Sequence, residues 1–171
     1  MSTYKAFEVR EETEKNFVGT IVEKSALELA EGSVSIEVCY SSVNYKDALS
    51  ASGSKAVTRE YPHVPGIDAA GTVLASTDSN FAVGDEVVVT GYDLGMNTAG
   101  GCGRQATVPG GWVTKLPVGL SLHDSMVLGT AGLTAGLCVN KLLLNGITPE
   151  SGKVLVTGAT GGVGIIACAL L

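Results

Sequence analysis

Few folds accommodate the run Lys153-Val154-Leu155-Val156-Thr157-Gly158-Ala159-Thr160-Gly161-Gly162-Val163-Gly164. Its first half, apolar and β-branched, reads as a buried parallel strand. The strand enters a turn with almost no side-chain bulk, and the apolar residues from Val163 onward read as a helix. In such a unit, backbone N–H groups and the positive end of the helix face one point, where a pyrophosphate can sit. Glycine suits the turn because a Cβ would hold phosphates away and obstruct close packing of helix on strand. The spacing is G-x-x-G-x-x-G with Gly162 added, one residue longer than the usual G-x-G-x-x-G. No G-K-[S/T] closes it, which excludes a P-loop. Thr157, Gly158, Thr160, Gly161, Gly162, Val163 and Gly164 are therefore the candidate dinucleotide-binding residues. The competing reading is a tight strand–helix turn without a ligand. The residue that selects NAD or NADP lies about 20 residues beyond such a motif, past Leu171.

Upstream the texture differs. Seven short strands are expected, at Tyr4–Val9, Phe17–Glu23, Val34–Tyr40, Gly71–Ala75, Glu86–Thr90, Arg104–Val108 and Val113–Lys115. They alternate or carry β-branched residues, and turn signals such as Val83-Gly84-Asp85 and Pro109-Gly110-Gly111 separate them. That density argues for a β-barrel or sandwich, interrupted by one short helix at Tyr45–Ser52. From Ser121, a plausible N-cap with Asp124 three residues on, helical periodicity runs to Gly129. It resumes at Thr130 and ends at Asn145-Gly146. Two domains follow: a barrel over residues 1–120, and connecting helices with the first strand–turn–helix of an incomplete nucleotide-binding domain over 121–171.

Composition narrows the partners. The formal net charge is −6, so phosphate backbones and anionic lipid are repelled, and neither nucleic acid nor a membrane is expected as a partner. Glu11, Glu12 and Glu14 read as a solvated loop. No transmembrane or secretory segment is expected, since the final apolar stretch is too short to span a bilayer. Cys39, Cys102, Cys138 and Cys168 are scattered without a C-x-x-C pair, which fits reduced, mostly buried thiols in a cytoplasmic protein.

Four stretches together carry a family resemblance: Ser42-Val43-Asn44-Tyr45-Lys46-Asp47-Ala48-Leu49, Pro65-Gly66-Ile67-Asp68-Ala69-Ala70-Gly71-Thr72-Val73, Gly129-Thr130-Ala131-Gly132-Leu133-Thr134-Ala135 and Val156–Gly164. In this order they resemble the medium-chain dehydrogenase/reductase superfamily. N-Y-K-D-A-L with P-G-I-D-x-A-G-T-V is similar to the acrylyl-CoA reductase branch of the quinone oxidoreductase-like proteins. The resemblance implies a GroES-like β-barrel domain followed by the start of an α/β Rossmann domain, in a full chain about twice this length. It also implies a homodimer, NADPH in the cleft between domains, and reduction of the double bond of a small α,β-unsaturated thioester such as acryloyl-CoA. A quinone or alkene reductase of the same fold stays open, as does a non-catalytic folded module.

Hydride delivery to the β-carbon leaves negative charge on the thioester oxygen, so the site needs a nearby donor and a fixed, dry nicotinamide pocket. Tyr45 is the first candidate, as hydrogen-bond or proton donor or as packing against the cofactor ring. Asn44 either orients a carbonyl or ribose hydroxyl or caps the short helix. Asp47 serves the same cap or pairs with Lys46. Thr130 resembles a family contact to the nicotinamide end, with an N-cap as the alternative. Zinc-dependent relatives carry Cys near Asn44 and G-H-E at Gly66-Ile67-Asp68. This chain has neither, so no metal is expected. His63 reads as lying in a rigid surface loop and His123 as solvated. Trp112 and Phe81 read as barrel packing, and Gly100–Gly103 as a flexible turn with Cys102 partly exposed.

Overall fold

A computed structural model describes residues 3–171. Two strands, β1 (Thr3–Thr13) and β2 (Asn16–Ser25), form an antiparallel hairpin. A second, five-stranded antiparallel sheet contains β3 (Ser33–Tyr40), β4 (Asp68–Ser76), β5 (Glu86–Thr90), β6 (Gln105–Pro109) and β7 (Val113–Lys115), in the order β6-β3-β4-β5-β7. Isolated bridges Ala6↔Gly103 and Val9↔His63 tie the hairpin to the segments flanking that sheet. Each of the seven expected strands is present, most of them longer than their alternation alone marks.

The core follows from period-two alternation, which sends every second side chain to one face. Val34, Ile36 and Val38 of β3 meet Val87 and Val89 of β5 and Ala106 and Val108 of β6, with Leu94 beneath and Phe81 and Trp112 packed against the edge. Full burial of one such aliphatic side chain contributes about 1.5–3 kcal/mol. Gly71 in β4 is required by close approach, since a Cβ there would lie 1.8 Å from the Glu37 carbonyl oxygen. The expected turn at Val83-Gly84-Asp85 forms with Gly84 at φ +93°, and the Asp85 carboxylate accepts the Ala82 N–H at 3.0 Å.

Helix α1 spans Tyr45–Ala51, α2 spans Leu122–Leu144 and α3 spans Gly162–Leu170. Ser121 does cap α2, its hydroxyl accepting the Asp124 N–H at 3.0 Å. The Asp124 carboxylate accepts from the Ser121 hydroxyl at 2.8 Å and not from a backbone N–H as a capping-box Glu would. Gly129 breaks α2 at φ +48°, ψ −151°, a region open only to glycine. By length and composition α2 meets the requirement for crossing a membrane, against the expectation of no such segment. The break leaves Thr130–Leu144 as the longer straight piece, about 22 Å at 1.5 Å per residue, short of the roughly 30 Å of a hydrocarbon core.

The described residues form two compact units, one up to Met126 and the other Val127–Leu171.

Several expectations are corrected. Lys153–Thr157 forms no ladder with any described strand, because β structure needs a hydrogen-bonded neighbour and none pairs here. Glu11 and Glu12 belong to the end of β1, where Glu11 pairs with Lys55 at 3.1 Å. Gly100–Gly103 is no flexible turn: the amides of Gly100, Gly101 and Cys102 donate to the carbonyls of Val64, Gly66 and Pro65, and all three glycines are buried. Cys39, Cys138 and Cys168 are exposed and Cys102 half-buried, so the thiols are not mostly buried; in Val127–Leu171, Cys138 and Cys168 lie among exposed leucines, valines and Ile165.

Candidate active site

The polypeptide leaves β3 at Tyr40 and enters α1 through Ser41–Asn44. Two carboxylates organise this bend. Asp68, the fully buried first residue of β4, accepts the Ser42 hydroxyl on Oδ2 and Asn44 Nδ2 on the same oxygen at 3.0 Å. Asn44 Nδ2 also donates to Ser42 Oγ at 3.0 Å, closing a triangle. The Ser41 hydroxyl donates to the Asp68 carbonyl at 2.8 Å. Asp47, buried in the first turn of α1, accepts the Asn44 N–H on Oδ2 at 2.7 Å and the Ile67 N–H on Oδ1 at 2.9 Å. Asp47 therefore takes up the capping role and does not pair with Lys46.

Asn44 is the N-cap of α1, with which Asp47 forms a capping box. Its amide nitrogen is committed to Ser42 and Asp68, so toward any further group Asn44 can only accept, as from a ribose hydroxyl. Tyr45 opens α1 with its side chain 81% exposed. At the positions where zinc-dependent proteins carry ligands, Ile67 offers no donor and the Asp68 carboxylate is engaged by Ser42 and Asn44.

His63 is not on the surface. It is buried, exchanges both backbone hydrogen bonds with Val9 and, among the described residues, leaves Nε2 without a partner. Burial holds its pKa below the ordinary value, opposed by a hydrogen bond with the Gly95 backbone and by the Asp93 charge. His123 is exposed as expected, with Nδ1 3.0 Å from Asp124 Oδ1 and its ring edge-on to Tyr40. Burial, with the Asp47 charge adding, pushes the Cys102 thiol up to about 11, so it is no nucleophile. Phe81 and Trp112 pack on the core as expected, and Trp112 stacks on Tyr92 with centroids 5.4 Å apart.

In the second unit the glycine turn sorts its residues by cause. Gly158 has φ +64°, and its carbonyl accepts the Gly161 N–H at 2.9 Å. A Cβ on Gly164 would lie 2.2 Å from that same carbonyl oxygen, so Gly164 is fixed by packing. Gly161, the N-cap of α3, and Gly162 are demanded by neither cause: their Cβ atoms would meet nothing nearer than 3.4 Å and 3.5 Å. The amides of Gly162, Val163 and Gly164 donate to no described residue, as at any open helix N-terminus. A cradle of free N–H groups, lined by glycines the fold does not need, suits a diphosphate. Thr157 and Thr160 are exposed beside it. Gly129 is the non-helical residue at the break in α2, so Thr130 is the first helical residue after it and not the N-cap; its carbonyl accepts the Thr134 hydroxyl at 2.8 Å.

Comparison with known proteins agrees with this architecture. Residues 30–118 match the family model of the alcohol dehydrogenase GroES-like domain. YhfP of Bacillus subtilis, assigned by name to the quinone oxidoreductases, is 53% identical over 147 residues, which is 86% of this chain and 44% of that protein. Its crystal structure with NAD bound superposes with a TM-score of 0.91 at 47% identity, over 98% of this chain and 50% of that one. The acrylyl-CoA reductase AcuI of Ruegeria pomeroyi is 48% identical over 86% of this chain and 44% of its own length. The yhdH oxidoreductase of Salmonella enterica, crystallised with NADP, gives a TM-score of 0.91 at 44% identity, over 97% of this chain and 51% of that one. The chain thus spans about half the length of the relatives it matches.

Proposed function

Because the chain belongs to the alcohol dehydrogenase GroES-like domain family, within the medium-chain dehydrogenase/reductase superfamily, we propose that it forms part of a zinc-independent, NADPH-dependent reductase of small α,β-unsaturated thioesters such as acryloyl-CoA. The observation that carries the nucleotide half of this reading is the set of unpartnered amides at Gly162–Gly164 beside two glycines the fold does not require. The thioester half rests on 48% identity to an acrylyl-CoA reductase.

In this reading the amides of Gly162, Val163 and Gly164 bind the diphosphate, with Thr157 and Thr160 beside it and Gly158 setting the turn. Thr130 contacts the nicotinamide end. Bound NADPH supplies the hydride for the β-carbon of the activated alkene. Tyr45 presents its hydroxyl to the thioester oxygen, where charge develops, or packs on the nicotinamide ring. At the thioester oxygen the phenol hydroxyl serves as a hydrogen-bond donor aimed at the developing charge. Asn44 accepts from a ribose hydroxyl. The full-length enzyme acts as a cytoplasmic homodimer.

The second reading, a quinone reductase, is favoured by the 53% identity to YhfP. Steady-state NADPH oxidation by the full-length protein separates them. A higher kcat/KM for acryloyl-CoA than for any member of a quinone panel is expected, and preference for a quinone would overturn the thioester assignment.

A further inference from the structure

We infer that Asp68, with Asp47, is a positioning residue for Tyr45, holding it through the Ser41–Asn44 bend. The inference rests on the reading of Tyr45 as a residue that touches cofactor or substrate. Tyr45 is 81% exposed on the first position of a seven-residue helix, and among the described residues no hydrogen bond or ring contact fixes it directly. Its placement is therefore inherited from the residues behind it.

Those residues are unusually constrained. Between Ser41 and Asp47, five hydrogen bonds reach two buried carboxylate residues: Ser41 Oγ to the Asp68 carbonyl, Ser42 Oγ and Asn44 Nδ2 to Asp68 Oδ2, Asn44 N–H to Asp47 Oδ2, and Ile67 N–H to Asp47 Oδ1. The last bond joins α1 to the residue preceding Asp68, so the two carboxylates brace one another through the backbone. Burying a carboxylate is costly unless its oxygens are satisfied. Apolar packing alone would hold a bend in place at less cost, whereas a closed polar network fixes one geometry. The geometry fixed here is the direction in which α1 starts, and hence where Tyr45 stands.

A double-mutant cycle in the full-length protein tests this. Three variants, Tyr45→Ala, Asp68→Asn and the combination, are read by kcat/KM and by the NADPH dissociation constant from nucleotide fluorescence. Asp68→Asn keeps the volume but puts an amide where Ser42 and Asn44 both donate. It is expected to lower kcat/KM by about tenfold, within the range that small misplacements of a site residue produce. In the Tyr45→Ala background the same substitution is expected to change kcat/KM by less than about twofold, because residues acting as one unit are not additive. A full, independent loss in both backgrounds would show a purely structural role and overturn the inference. No loss from Asp68→Asn while Tyr45→Ala is impaired would overturn it and leave the role of Tyr45 standing. No effect of Tyr45→Ala on either readout would remove the role of Tyr45 and this inference with it. If Asp68→Asn does not fold, Ser42→Ala, which deletes one edge of the triangle, takes its place in the cycle with the same outcomes.

Discussion

At the residue scale, Gly162 and Gly164 make opposite predictions although they are two positions apart. Gly164→Ala forces a Cβ to 2.2 Å from the Gly158 carbonyl oxygen, a backbone clash that costs on the order of 1–3 kcal/mol. Gly162→Ala meets only Ala131 Cβ at 3.5 Å, and at the first position of α3 alanine suits a helix at least as well as glycine. Thermal unfolding of the full-length protein is expected to show a lowered Tm for Gly164→Ala and an unchanged or raised one for Gly162→Ala. NADPH affinity should fall in both. A Gly162→Ala variant that binds NADPH as tightly as the parent would mean that the turn carries no phosphate.

His63 gives the second residue-scale prediction. Its pKa in the folded state is held below the ordinary 6.5, by burial first. The unfolded chain then binds the proton more readily. The stability His63 allows is fully present above about pH 6.5 and is lost as pH falls through its lower folded-state value. Urea midpoints measured from pH 7.5 down to 5.5 should therefore fall more steeply for the parent than for His63→Phe. Parallel curves would show that the buried ring does not titrate with folding.

At the element scale, Gly129 governs α2. Any other residue must leave φ +48°, ψ −151°, so Gly129→Ala is expected to cost about 1–3 kcal/mol while making the helix straighter, which urea unfolding and circular dichroism would check together. Equal stability would mean that the break is not structurally required. The Gly129–Thr130 interruption was readable because glycine marks it, and the seven strands because alternation of valines and isoleucines has period two. Lys153–Thr157 has the same composition as a strand, yet composition reports what a segment suits and not whether a neighbour is present to bond it. His63 was misplaced for a related reason. A histidine between prolines looks like a loop residue, and only the Val9 backbone, distant in sequence, reveals that it is enclosed. The site was half legible: Tyr45, Asn44 and the glycine turn stood out as residue types. The roles of Asp47 and Asp68 depend on partners such as Ile67 and Ser42, some 20 or more residues away, that no local pattern announces.

At the scale of the whole molecule, the two units differ in how they treat apolar surface. The first encloses Val34, Val38, Val73, Val87, Val89 and Val108 in the core of its sheet, while Val127–Leu171 leaves Leu133, Leu137, Leu144, Leu155 and Ile165 half or more exposed beside a cavity of about 490 Å³ lined in part by Val154–Gly158. Lys153–Thr157 pairs with no described strand, so its backbone amides lack the ladder hydrogen bonds that protect β3 and β4. Backbone amides of Lys153–Thr157 in the isolated 171-residue chain are accordingly expected to exchange with deuterium far faster than those of β3 and β4, and the chain alone to bind NADPH more weakly than micromolar. Exchange as slow as in the barrel, or a micromolar dissociation constant, would show that the second unit is self-sufficient.

A crystal structure of the full-length protein with its nucleotide tests the central claim most directly. The account predicts diphosphate oxygens at about 2.7–3.2 Å from the amide nitrogens of Val163 and Gly164, an ordinary N–H···O distance. A diphosphate seated away from the Thr157–Gly164 turn, or a metal ion held by Asn44 and Asp68, would contradict it.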